Sequence, residues 1–130
     1  MSWQNAAVTD VVILGGGPGG YEAALVGRQL GGAVTLVERR GLGGSAVLTD
    51  VVPSKTLIAA AEVMAKIGTA EEVGLRLDDG SRRLAAAVSF DMGRVNARVR
   101  ALARAQSDDI AARLEAEGVR LIAGTGRLDG

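Results

Sequence analysis

The sequence predicts an α/β fold built on a parallel sheet, and three observations carry that expectation. Two short apolar runs, Val11 to Leu14 and Val34 to Val37, are bounded by glycines and read as buried parallel strands. The first opens into Gly15-Gly16-Gly17-Pro18-Gly19-Gly20, then Ala/Leu-rich sequence to Leu30 and a Gly31-Gly32 stop. That is the outline of a strand, a tight turn and a crossover helix over Tyr21 to Leu30. Further on, a long amphipathic stretch closes at Gly118 and leads into a third apolar run, Val119 to Ala123. Strands alternating with helices give βαβ units and a parallel sheet.

The glycine turn also carries chemistry. Gly15, Gly17 and Gly20 have the spacing in which the first glycine makes the turn and the second lets backbone approach a pyrophosphate. The third lets the helix pack close to the strand. The helix N-terminus, with unpaired N–H groups and a positive dipole end, then faces the phosphates. Glu38, ending the second run, is placed to accept hydrogen bonds from a ribose diol. Glycine makes up 19 of the 130 residues, so the spacing alone is common. The strand before it, the helix after it and the acidic strand end 18 residues beyond Gly20 make it a nucleotide fingerprint.

The remaining elements follow in order. Gly41-Leu42-Gly43-Gly44-Ser45 forms a second glycine loop. Thr56 to Ile67 has helical periodicity, with Leu57, Ile58, Ala61, Met64 and Ala65 on one face, Pro53 just before it and Ser54 as N-cap. Gly74 to Leu77 suggests a surface strand, and Asp78-Asp79-Gly80-Ser81 a turn. Asp91 to Glu117 is a long helix with Val95, Val99, Leu102, Ile110 and Leu114 at intervals of about 3.6. Its Arg94, Arg98, Arg100 and Arg104 read as a solvated face rather than an anion site. There are no internal repeats and no linker.

Composition excludes several functions. A chain of 130 residues is about one domain long, and 48% hydrophobic content with zero formal charge argues against disorder. Trp3, Tyr21 and Phe90 are the only aromatics, so the core must be Val, Leu, Ile and Ala. Balanced charge and scarce aromatics leave no basic patch or stacking platform for nucleic acid. The absence of cysteine and histidine removes a redox dithiol, a Cys/His metal site and any Ser–His or Cys–His pair. Met1 to Thr9 lacks the basic start and apolar core of a signal peptide, and no apolar run approaches the ~20 residues of a membrane span. A cytoplasmic location is expected.

The order of motifs resembles a known family. Gly15-x-Gly17-x-x-Gly20, Ala24, Gly31 and Glu38 are similar to the FAD-binding signature of many flavoproteins. Gly43-Gly44-Ser45 and, eight residues later, Pro53-Ser54-Lys55 narrow the resemblance to the N-terminus of the pyridine nucleotide–disulfide oxidoreductases, the group of dihydrolipoamide dehydrogenase and glutathione reductase. It covers essentially the whole chain and implies a Rossmann-like FAD-binding domain of which residues 1–130 are the N-terminal portion. Gly15, Gly17, Pro18 and Gly20 would cradle the FAD pyrophosphate, with Gly44 and Ser45 along it. Glu38 would hold the adenosine ribose and Gly126 would lie near the adenine. Lys55 would approach the flavin ring, where its charge favours reduced flavin.

One departure shapes the expected chemistry. Where the family carries two redox cysteines, this chain has Ala46 and Val51. No mixed disulfide or charge-transfer thiolate can form, so no catalytic residue is assigned. Thr49 and Asp50 replace the family's usual Val and Gly. The run Gly43-Gly44-Ser45-Ala46-Val47-Leu48 resembles a cysteine-lacking actinobacterial branch of NAD(P)H:quinone reductases. The resemblance therefore implies electrons passing from NAD(P)H through FAD to a quinone-like acceptor. The alternatives are a thiol-free FAD-binding pseudoenzyme or subunit, and a standalone NAD-binding module. Family members are several times longer, so the NAD-binding and dimerisation domains are expected outside this chain, in a homodimer when full length. The isolated chain is expected to be inactive.

Overall fold

The computed structural model describes residues 9–77 and 84–129. Strands β1 (Asp10–Leu14), β2 (Ala33–Glu38) and β3 (Arg120–Ala123) form a parallel sheet in the order β1-β2-β3. Ile13 pairs with Leu36 across β1 and β2, and Leu36 with Leu121 across β2 and β3. Residues in register share a face, so Val11, Ile13, Val34, Leu36 and Leu121 point one way. Val12, Leu14 and Ile122 point the other.

Helix α1 (Pro18–Gln29) crosses from β1 to β2 and packs on both strands, and α5 (Met92–Ala116) leads into β3 and packs on it. Together they cover the first face. The core there is Ala24, Leu25, Val34, Leu36, Leu42, Val47, Ile110, Leu114 and Val119, aliphatic as the composition requires, with Tyr21 packed at its edge. Among the described residues the second face stays open, with Val12 65% and Leu14 46% exposed.

Both crossover helices end alike. After α1, Gly31 (φ 85°) donates to the Arg28 carbonyl and Gly32 to the Gly27 carbonyl, each at 2.9 Å. After α5, Gly118 (φ 78°) donates to Glu115 and Val119 to Leu114, again at 2.9 Å. A left-handed glycine satisfies the last carbonyls and turns the chain sharply into the next strand.

Between β2 and α5 the structure corrects several expectations. The second glycine loop runs into a short helix, α2 (Gly44–Leu48). The next helix, α3 (Val51–Gly68), starts five residues before Thr56. Asp50, not Ser54, occupies the N-cap position, and the Ser54 hydroxyl donates to the Val51 carbonyl at 3.1 Å. Pro53 is tolerated in this first turn because its missing N–H has no helical partner to lose. The buried face of α3 is also rotated. Thr56, Ala60, Met64 and Ile67 are half-buried, whereas Leu57, Ile58, Ala61 and Ala65 are exposed. Only Met64 of the expected face turns inward, because α3 packs against α2 and α5 rather than the sheet.

No strand forms over Gly74 to Leu77. Ala70–Val73 is a 3₁₀ turn closed by Gly74 at φ 87°, and residues 75–77 carry no regular structure. The turn expected at Asp78 to Ser81 lies outside the described residues. A four-residue helix, α4 (Leu84–Ala87), precedes α5. Helix α5 matches the expected span to within a residue at each end. Asp91 caps it by accepting from the Arg94 N–H at 3.0 Å, and Arg94, Arg98, Arg100 and Arg104 are exposed. Among the described residues, no helix is long and apolar enough to cross a membrane.

Candidate functional site

The carboxyl ends of the three strands converge. The Gly15 N–H donates to the Val37 carbonyl and the Gly124 N–H to the Glu38 carbonyl, both at 2.9 Å. These bonds continue the sheet one step past its strands and align the loops that follow. Between the loops opens a crevice of about 150 Å³, lined by Leu14, Gly15, Val37, Glu38, Arg39 and Gly124-Thr125-Gly126. Crevices at the carboxyl ends of parallel strands are where open α/β sheets bind ligands.

The three fingerprint glycines are required for different reasons. Gly15 sits at φ 103°, where a side chain is strained. At Gly20 a Cβ would run into the Gly15 carbonyl oxygen, so only hydrogen allows α1 to approach the turn. At Gly17 the backbone is extended (φ −67°, ψ −178°), and a Cβ there would meet no protein atom within 4 Å. No protein contact excludes a side chain at Gly17; what it preserves is open space in front of α1.

That space lies at the N-terminus of α1. Gly17 is the N-cap, Pro18 starts the helix, and no side chain caps it. The unpaired first-turn N–H groups therefore face outward with the positive end of the helix dipole. A second glycine backbone closes in from the following loop. The Gly43 N–H donates to the Gly16 carbonyl at 2.7 Å, and a Cβ on Gly44 would lie 3.0 Å from the Gly17 Cα. Gly43 and Gly44 both have positive φ, 87° and 57°. Two side-chain-free turns thus meet over the helix end, a shape suited to an extended anion.

Glu38 is held by backbone. Its Oε2 accepts from the Gly16 N–H at 2.8 Å, and its Oε1 accepts from Arg39 and Arg40 N–H at 2.8 and 2.7 Å. These bonds hold its carboxyl below the ordinary glutamate value, the Gly16 N–H contributing most and the Arg40 N–H next, while partial burial opposes them. Three of the roughly four acceptor positions of a carboxylate are filled. Glu38 itself lines the crevice.

The other expected site residues are distributed around this centre. Ser45, exposed, lies in the first turn of α2, with its carbonyl accepting from Thr49 and Asp50 N–H at 3.0 and 2.8 Å. Gly126 lies against Leu14 at the crevice edge, where a side chain would need the Leu14 side chain to shift. Lys55, also exposed, is in the second turn of α3 and borders a groove between α3 and α5 rather than the crevice. Ala46, half-buried in α2, and Val51, exposed at the start of α3, flank the link between those helices. Sequence reasoning missed Gly16, Thr125 and the Arg39 and Arg40 amides. The signal for the amides was an acidic strand end followed at once by a turn to Gly41. No cluster of three or more His, Cys, Asp or Glu suited to a metal ion occurs among the described residues.

Known proteins place this geometry. A family model described as "Pyridine nucleotide-disulphide oxidoreductase" matches residues 9–130. The chain is 44% identical over 124 residues to an NAD(P)H dehydrogenase (quinone) of Mycobacterium tuberculosis, covering 93% of this chain and 24% of that protein. It is 36% identical over 121 residues to a dihydrolipoyl dehydrogenase of Zymomonas mobilis, with the same coverage. The crystal structure of LpdA from Mycobacterium tuberculosis superposes with a TM-score of 0.82 at 42% identity, over 95% of this chain and 25% of that one. The chain thus spans about a quarter of the length of the curated relatives it matches. A family match over nearly all of the chain, on a parallel α/β sheet with two glycine turns at its carboxyl edge, makes this chain a member of the pyridine nucleotide–disulphide oxidoreductase family.

Proposed function

We propose that the chain is the N-terminal portion of the FAD-binding domain of a flavoprotein passing electrons from NAD(P)H to a quinone-like acceptor, without a redox-active disulfide. The carrying observation is the cradle at the uncapped α1 N-terminus, where the Gly17 and Gly44 backbones meet and a Cβ on Gly17 would project into open space. An FAD pyrophosphate fits such a cradle: it is an extended dianion, and the cradle offers backbone N–H groups and no side-chain bulk.

In this reading Gly15, Gly17, Pro18 and Gly20 surround the pyrophosphate, with Gly44 and Ser45 along it. Glu38 offers its carboxylate to a ribose hydroxyl, and Gly126 borders the adenine. Lys55 brings positive charge toward the flavin ring. Bound FAD would supply hydride acceptance and onward electron transfer; the chain's own residues bind and orient it. The sequence has no cysteine, so a thiol relay from flavin to substrate is absent within it. A quinone needs no such relay, and the similarity to the NAD(P)H dehydrogenase (quinone) of Mycobacterium tuberculosis supports that acceptor. The NAD(P)H-binding and dimerisation regions belong to the remainder of a cytoplasmic homodimer.

The test is a visible spectrum of the complete gene product before and after anaerobic NADH. Flavin bands that bleach directly, with no long-wavelength thiolate-to-flavin band, are expected. A colourless protein that added FAD does not turn yellow would sink the reading.

A further inference from the structure

The groove bordered by Lys55 runs between α3 and α5 and encloses about 420 Å³, within the range of small-molecule sites. Its floor is Thr56, Ala60 and Val95, all half-buried. The Thr56 hydroxyl is turned back to the Val52 carbonyl at 2.8 Å, so it presents mainly its methyl group. Ala59 and Ala60 are small, so their side chains leave the space between the helices unfilled. Val63 and Leu102 form an apolar wall, 56% and 40% exposed. Among the described residues, Lys55 and Arg98 are the only charged residues lining it, and no acidic side chain does. An apolar slot with cations and no anion is complementary to a flat apolar ring that carries or acquires negative oxygen.

We propose that this groove is the acceptor site, and that its occupant is a quinone whose ring lies on Ala60 and Val95 with its oxygens toward Lys55 and Arg98. The assignment rests on the flavoprotein reading above, which puts the same Lys55 beside the flavin. Reduction to the quinol takes two electrons and two protons. NAD(P)H supplies two electrons and one proton as hydride, and solvent supplies the second proton. Negative charge on the quinone oxygens before that proton arrives is what Lys55 and Arg98 stabilise.

The test is equilibrium dialysis of 2-methyl-1,4-naphthoquinone and its 3-sulfonate against the oxidised complete gene product, without NAD(P)H. Val63→Glu should weaken binding of both about tenfold or more, because it sets a carboxylate against the apolar ring. Arg98→Gln should weaken binding of the sulfonate selectively. Val73→Glu, exposed on the 3₁₀ turn and outside the groove, should change neither. Quinone binding as tight in Val63→Glu as in Val73→Glu would overturn the assignment. Bleaching of the flavin bands by NADH in the same preparations reads the parent proposal separately. Bands that bleach while Val63→Glu binds normally remove the groove alone, and a protein without flavin bands removes the flavoprotein reading.

Discussion

At the scale of single residues, Gly17 and Gly20 separate binding from folding. Both belong to one motif, yet only Gly20 is held by protein contact, since a Cβ there meets the Gly15 carbonyl. Gly20→Ala should destabilise the fold by about 1–3 kcal/mol, as overpacking does, visible as a lower Tm. Gly17→Ala should leave Tm unchanged or slightly raised, because its extended backbone suits any residue and alanine restricts the unfolded chain. FAD affinity, measured by fluorescence titration of the complete gene product, should fall at least tenfold in Gly17→Ala. Equal losses of Tm in the two variants would contradict this division.

Glu38 carries a pH dependence at the same scale. Its folded-state pKa is depressed, so its three backbone hydrogen bonds contribute fully above the unfolded value of about 4.3 and are lost as pH falls through the lower folded value. The amide resonance of Gly16 should therefore stay constant from pH 8 to about pH 5 and move only in the acid range. A shift centred near neutrality would show that the Glu38–Gly16 bond is not what sets this turn.

At the scale of elements, Arg28 joins two helix ends. Its Nε donates to the Glu117 carbonyl at the end of α5 at 2.9 Å, and its Nη1 to the Gly32 carbonyl beyond α1 at 2.7 Å. A guanidinium there satisfies orphan carbonyls and opposes the negative ends of two helix dipoles. Arg28→Ala should cost about 1–2 kcal/mol by chemical denaturation. Arg28→Lys should recover only part, because an ammonium is a point charge without the planar fork. Full recovery by lysine would mean that charge alone matters. The helix α3 shows a different balance. None of its 18 residues is buried, so its apolar residues contribute little to the described core and leave space for the Lys55 groove.

At the scale of the whole molecule, the described residues cover the parallel sheet on one face only. Such sheets are ordinarily buried on both, and here Val12, Leu14 and Ile122 remain exposed on the second face. The 130-residue chain expressed alone should bind a hydrophobic dye such as ANS and associate with rising concentration in sedimentation experiments. The pair Val12→Thr and Ile122→Thr, both strand-compatible, should reduce dye binding and association. Dye binding unaltered by that pair would place the sticky surface elsewhere, with α3 the next candidate.

What the sequence determined by itself was local and periodic. The glycine stops, the apolar runs and the 3.6-residue repeat of Asp91 to Glu117 set β1, α1, β2, α5 and β3 to within a few residues, because each signal lies within one element. The acidic strand end and the spacing of Gly15, Gly17 and Gly20 located the candidate site for the same reason. Tertiary structure decided whatever depended on a distant neighbour. It rotated α3 so that Thr56 and Ala60 rather than Leu57 and Ile58 meet α5, since an apolar helix with no unique polar face takes its orientation from its partner. It also paired Gly44 with Gly17 and tied Glu38 to the Gly16 amide, contacts between segments more than twenty residues apart that no periodicity encodes.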